Sequence, residues 1–364
     1  MAEKVFSSDG EERVKVETES VKCPGCGANM VFDADSQMLY CPHCGSKRDL
    51  GAGKRADEKD LMEGLSADAI WKAEETVVFR CDNCGAKVVL QKDETAKLCP
   101  FCGTAHVQKT EELAGLKPDA VLPFAFGTEK ALEYSKNWAK KRFFAPRKFK
   151  KDLNADNVNG VYAPCFTFDS HTYSTYRGRI GVTHTRTVGS GKNRRTETYT
   201  VWHNISGTYA DFFDDLAITA GDKCGQKELD KLAPYDTNSG IEYKEKYLLG
   251  FMAYHYDHEL SDCWDRAKNR MDGIIRSRIL AQYHYDKLDY LNVSTTHENV
   301  KYKYVMIPVY VGNFNFRQKL YNFFVNGTTG KTYGKYPKSG LKIGVLAATL
   351  AAVAGCVIYF LLKG

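Results

Sequence analysis

Residues 23–46 read CPGCGANMVFDADSQMLYCPHCGS and residues 81–104 read CDNCGAKVVLQKDETAKLCPFCGT; the two align without a gap at an offset of 58 residues. Each holds two C-x-x-C pairs, Cys23/Cys26 with Cys41/Cys44 and Cys81/Cys84 with Cys99/Cys102, and fourteen residues separate the pairs in both halves. A C-x-x-C turn brings two thiolates to one ion, and a following glycine lets the backbone bend tightly around them. Glycine follows Cys26, Cys44, Cys84 and Cys102. Two such knuckles supply four soft ligands in a tetrahedron, the spacing of a four-cysteine zinc ribbon. A closed thiolate shell leaves no position for water, so two structural Zn2+ sites are expected rather than catalytic ones. His43 and His106 lie beside the knuckles, but with four cysteines already present at each site they read as surface residues. Alternating stretches near Met30–Phe32 and Val88–Leu90 suit the short hairpins that carry the knuckles.

The surrounding chain has 364 residues, 43% hydrophobic and 26% charged, with 51 Lys plus Arg against 45 Asp plus Glu. That composition excludes a disordered or collagen-like chain. The net charge of +6 is too small an excess to imply a nucleic-acid or membrane partner by itself. Its average polarity conceals an apolar C-terminus. Residues 343–362 carry no charge, and ten of the twenty are Leu, Ile, Val or Phe. At 1.5 Å per residue they span roughly 30 Å, the hydrocarbon thickness of a bilayer, so a single transmembrane helix is expected there. Lys331, Lys335, Lys338 and Lys342 precede it and Lys363 follows it. This bias places the large N-terminal part in the cytoplasm, in a tail-anchored, single-pass arrangement at the cell membrane. Residues 1–20 are polar and acidic, without the apolar stretch of a secretory signal, and read as a disordered tail. A reducing cytosol makes metal binding the natural use of paired cysteines. Cys165, Cys224, Cys263 and Cys356 have no partner at ligand spacing and read as small apolar residues. Ala347, Ala351 and Gly355 form a small-residue face that can pair tail helices, which leaves homo-oligomerisation open.

Between ribbons and tail the period changes. Residues 48–76 form a charged linker, partly helical, between ribbon 1 at 21–47 and ribbon 2 at 77–107. Thr128 can cap a helix running to about Phe143, with Ala131, Tyr134, Ser135 and Trp138 at i, i+3, i+4 and i+7, and Pro146 stops it. VYAPCFTFD (161–169), HTYSTYRGRIGVTHTRTV (171–188) and RTETYTVWHNISGTYA (195–210) then alternate with period two and are rich in Thr, Tyr and Val; residues 189–193 make a loop. A helix around His258–Gln282 sets Trp264, Ala267, Met271, Ile274, Ile275 and Ile279 on one face. Strands resume near Tyr302–Val311 and Leu320–Val325. The class is α+β: two tandem zinc ribbons, an antiparallel β-rich domain over 115–335 with a few helices, and the membrane helix.

Lys130–Lys151 carries nine basic residues and one acid, interleaved with Trp138, Phe143, Phe144 and Phe149. Lys140, Lys141, Arg142, Arg147, Lys148, Lys150 and Lys151 are therefore candidates for contact with anionic lipid or nucleic acid. Enzyme signatures are missing. Residues 326–332 superficially suggest a phosphate loop, but Val325 stands where its first glycine belongs, and a hairpin turn is the better reading. His255 and His258 read as polar surface or core groups.

The order of two ribbons, LKPDAVLPF (116–124), Trp138, FFAPRKF (143–149), GVYAPCFTFD (160–169), YRGRIG (176–181), NGTTGKTYGKYP (326–337) and an apolar tail resembles the bacterial TFIIB-type zinc-ribbon membrane proteins. That family is often labelled primosomal helicase PriA by transfer from the helicase's zinc-binding region. The resemblance covers nearly the whole chain from Cys23 and implies zinc at all eight paired cysteines. It implies association with SPFH (flotillin-like) and PspA-like membrane-stress proteins, and no established activity. Cys165 departs from it, since relatives often have an aromatic residue after Pro164. A helicase would need a nucleotide-driven motor that this chain lacks. The expected function is a non-enzymatic, membrane-anchored adaptor with a cytosolic protein-interaction surface. The alternative is a membrane-tethered nucleic-acid binder.

Overall fold

Three strands set the architecture: Val158–Val188 with 31 residues, Arg195–Thr219 with 25 and Lys287–Phe316 with 30. Globular strands usually run 3–10 residues. The computed structural model describes residues 4–6, 12–14, 21–51, 53–66, 76–91, 98–104, 107–109, 116–154 and 158–363. Val158–Val188 lies in the middle, antiparallel to both long partners along nearly its whole length. At about 3.3 Å per residue it spans roughly 100 Å.

Burial along this strand changes at one level. From Val161 to Ser170 every residue is buried; from His171 to Ile180 exposed and buried residues alternate. VYAPCFTFD is apolar on both faces because both faces of the sheet are covered there. Beyond it the three strands continue as an arm with one covered face, and Thr, Tyr and Arg take the open side. The change coincides with bulges in both ladders, opposite Asp169 and opposite Ser170. Asp215 and Asn299, in the two outer strands, have φ of 49° and 51° there. We call this level the elbow. The arm ends in the turn at residues 189–194, as expected from its glycines.

The covered face of the arm meets the helix Leu260–Leu280, which buries Leu260, Cys263, Ala267, Met271, Ile275 and Ile279. These recur every three or four residues, the stripe expected from sequence, with Trp264 and Ile274 half-buried at its margins. Thr128–Lys140 is also helical, but Gly127 is its N-cap, with no side-chain cap. Thr128 is instead the first helical residue, and the helix ends three residues short of Phe143 in a turn before Pro146.

Short strands complete a 12-stranded sheet around the base of the long ones. It is antiparallel except where Ala120–Val121 runs parallel to Lys287–Phe316 and Met252–Tyr254 runs parallel to Val158–Val188. Lys319–Asn326 adds a hairpin partner, and Asn326 Oδ1 accepts the Thr328 and Thr329 amides in the turn that follows. In the linker, Lys59–Asp60 pairs with Lys301–Tyr302 and leads into the short helix Leu61–Ser66. Within the acidic N-terminal stretch, Lys4–Phe6 pairs with Glu12–Val14. At the other end Gly340–Lys363 forms a 24-residue helix, and its Gly340–Leu361 portion is long and apolar enough to cross a membrane.

Candidate functional site

The eight paired cysteines form two separate groups of four, each with its sulfur atoms close enough to share one metal ion. Cys23 and Cys44 Sγ are 3.4 Å apart, Cys26 and Cys41 3.5 Å, Cys81 and Cys102 3.5 Å, and Cys84 and Cys99 3.6 Å. A tetrahedron with metal–sulfur bonds of about 2.3 Å has edges near 3.8 Å, so the donor set fits the ion. The backbone explains the convergence. At each knuckle the glycine takes a φ between 71° and 76°, and its amide donates to the carbonyl of the first cysteine, as in Gly27 to Cys23 at 2.9 Å and Gly103 to Cys99 at 2.8 Å. The first cysteine's amide closes the turn onto the residue five positions on, Ala28, Ser46, Ala86 or Thr104. A side chain at the glycine position would have to adopt that left-handed conformation.

Each site repeats one further feature, a hydroxyl beside its last cysteine. Ser46 Oγ lies 3.1 Å from Cys44 Sγ, and Thr104 Oγ1 lies 3.1 Å from Cys102 Sγ. Both hydroxyls stand two residues past the last cysteine, so the offset that relates the ligands relates their supports too. The Ser46 hydroxyl and amide lower the Cys44 thiol to about 6. Hydrogen bonding from Cys99 lowers Cys84 to about 6 and raises Cys99 in return. His43 is exposed, and His106 lies outside the described residues.

Both ribbons are built into the body. Ribbon 1 is a three-stranded sheet of Val31–Asp33, Met38–Tyr40 and Lys47–Arg48. Its Phe32 amide donates to the Leu249 carbonyl at 2.9 Å, and its ring packs on Tyr247 and Phe251. Gln37 Nε2 donates to the Phe124 carbonyl at 2.7 Å. Ribbon 2 joins the large sheet itself, as Val88 and Val89 pair with Tyr254 and Ala253. The Phe101 ring packs tilted against Tyr254 with centroids 5.1 Å apart, and Asn313 Nδ2 donates to the Pro100 carbonyl at 3.3 Å. Cys165, Cys224 and Cys263 are buried, where desolvation raises their thiols, whereas Cys356 is exposed on the apolar helix. His255 is buried with Nδ1 2.8 Å from the Tyr256 carbonyl, whereas His258 bonds to Asp222, so the two use different partners.

The basic segment meets the root of the apolar helix. The Ser339 amide donates to the Phe144 carbonyl at 2.8 Å, and Lys342 Nζ donates to the carbonyls of Phe143 and Ala145 at 2.9 and 2.8 Å. Lys140, Lys141, Arg147, Lys148 and Lys151 are exposed. Lys150 reaches back to the Lys140 carbonyl at 3.0 Å. Arg142 turns inward over the rings of Trp138 and Tyr336, at 5.1 and 5.8 Å.

A third group, invisible in the sequence because its members lie far apart, sits at the elbow. Glu58 from the linker, Asp169 and Asp215 bring their carboxylates within 4.8 Å of one another. Lys303 lies among them, 3.8 Å from Glu58 and 3.4 Å from Asp215. Burial, reinforced by the shared hydrogen bond with Glu58, pushes Asp169 up to about 7.

No protein-family model and no solved structure matches the chain. It is 28% identical over 337 residues to the uncharacterized protein YdjG of Bacillus subtilis (strain 168), covering 92% of this chain and 94% of that one. The likeness therefore extends over most of both chains.

Proposed function

We propose that the protein is a non-enzymatic, membrane-anchored adaptor whose two zinc ribbons are structural and whose cytosolic body presents a surface to a protein partner. The closure of both four-sulfur groups carries this reading. With every coordination position taken by a thiolate, a Zn2+ ion neutralises charge and locks the fold, and no site remains for a substrate or an activated water. The Gly340–Leu361 helix supplies the anchor, a single pass at the cell membrane, and the lysines that precede it favour the cytoplasmic side for the body. The family resemblance drawn from the motif order points to SPFH or PspA-like membrane-stress proteins as the class of partner.

The test is a detergent pull-down with proximity labelling on the full chain, beside a form truncated at Gly340 and one with Cys41 and Cys99 replaced by serine. A protein partner captured only by the full chain with intact ribbons is the expected result. Salt-sensitive recovery of nucleic acid that survives truncation would replace the adaptor with a tethered nucleic-acid binder.

A further inference from the structure

The Gly340–Leu361 helix measures about 33 Å at 1.5 Å per residue, close to the hydrocarbon thickness of about 30 Å. Its first turn must therefore lie at the level of the lipid headgroups once the helix spans the bilayer. Three hydrogen bonds, from Ser339 and from Lys342, tie residues 143–145 to that turn. The turn after Thr128–Lys140 is thereby fixed at the same level. Phe143 projects there, 67% exposed, with the Lys342 ammonium 5.8 Å from its ring centre. An aromatic ring left in water beside the root of an apolar helix is the arrangement of an interfacial anchor. Around it the charge is one-sided. Among the described residues Lys140, Lys141, Lys148 and Lys151 enter no ion pair, and Lys150 and Lys342 stand close enough to repel each other.

We propose that this corner is a seat for anionic phospholipid headgroups, with Phe143 inserted at the interface and Lys140, Lys141, Lys148 and Lys151 holding lipid phosphates. The proposal rests on the helix crossing the bilayer and adds a chemical preference to it. Nucleic acid shares the phosphate chemistry but would need the corner to face away from the membrane to which Lys342 ties it.

The test extracts the full chain from native membranes in polymer-bounded lipid discs and measures the ratio of phosphatidylglycerol to phosphatidylethanolamine around it. The wild type is compared with Lys140→Gln/Lys141→Gln/Lys148→Gln/Lys151→Gln and with the corresponding four-arginine variant. The glutamine variant is expected to lose the enrichment in anionic lipid, each lysine being worth roughly fivefold at low ionic strength, and the arginine variant to keep it. All four lysines are exposed, and the metal content of each preparation reports that the fold survives. Equal enrichment in wild type and glutamine variant overturns the proposal. So does loss of nucleic-acid binding with lipid ratios unchanged. Release of the wild type from membranes by alkaline carbonate would instead refute the anchor, a separate outcome read on the same cells.

Discussion

The Lys303 ammonium lies 3.4 Å from the Asp215 carboxylate, with both side chains almost wholly removed from water, at the level where the arm leaves the body. Asp215 adopts its left-handed backbone there, at the bulge in its ladder with the central strand. Among the described residues neither Asp215 oxygen has a hydrogen-bond partner, and the Lys303 ammonium is the cation beside it.

Removing that charge leaves a buried anion uncompensated. Lys303→Met should destabilise the protein by about 3–5 kcal/mol, and Lys303→Met/Asp215→Leu should recover most of the loss. Thermal unfolding of the detergent-solubilised full chain distinguishes these outcomes; equal damage in single and double variants would make packing, not charge, the cause.

Asp169 gives the elbow a pH dependence. Its folded-state value of about 7 stands above the ordinary carboxylate value near 4, so the folded protein binds this proton more tightly than the unfolded chain does. Its stabilising contribution is full below about pH 4 and is lost as the pH rises through about 7. Asp169→Asn should flatten that slope and be the more stable form at pH 8. A slope unchanged in the variant assigns it to other groups.

Zinc loading should reach two equivalents per chain, and a strong chelator should lower the stability of the body as well as of the ribbons, because Phe32 and Leu39 are core residues. Ser46→Ala and Thr104→Ala should each weaken one site about 10–100-fold. Competition titration with a chromophoric chelator measures both. Unequal effects of the two substitutions would break the equivalence of the repeats.

Gly312 lies directly opposite Phe323, and a Cβ built on it would overlap the Phe323 ring at 1.9 Å. That ring is fully buried and stacks on Trp138 at 5.7 Å. Gly312→Ala should cost about 1–3 kcal/mol by overpacking and shift the Trp138 emission. An unaltered spectrum would mean the strand, not the ring, gives way.

How far the sequence reaches depends on how local each signal is. The ribbons are legible because every ligand lies within twenty-two residues of its partners, and the Leu260–Leu280 helix because its stripe is regular. The length of the central strand is not. The alternating runs 161–169 and 171–188 look like two strands because the bulge at Asp169–Ser170 breaks their phase, yet one strand carries both. The arm portion of Lys287–Phe316 escapes for a different reason: in residues 287–301 apolar side chains fall on both faces, with Leu288 and Tyr290 exposed and only Leu291 buried, so no clean alternation marks a covered side. The carboxylate group requires Glu58 from a linker over 100 residues away to meet Asp169, which no local pattern encodes.

The length of the arm turns the elbow into a fulcrum. From Ser170 to Val188 the strand extends roughly 60 Å, so a rotation of about ten degrees at the bulges would sweep the tip through about 10 Å. Any change of angle at the level where Glu58, Asp169 and Asp215 gather would thus be magnified at the far end into a displacement about as wide as a helix.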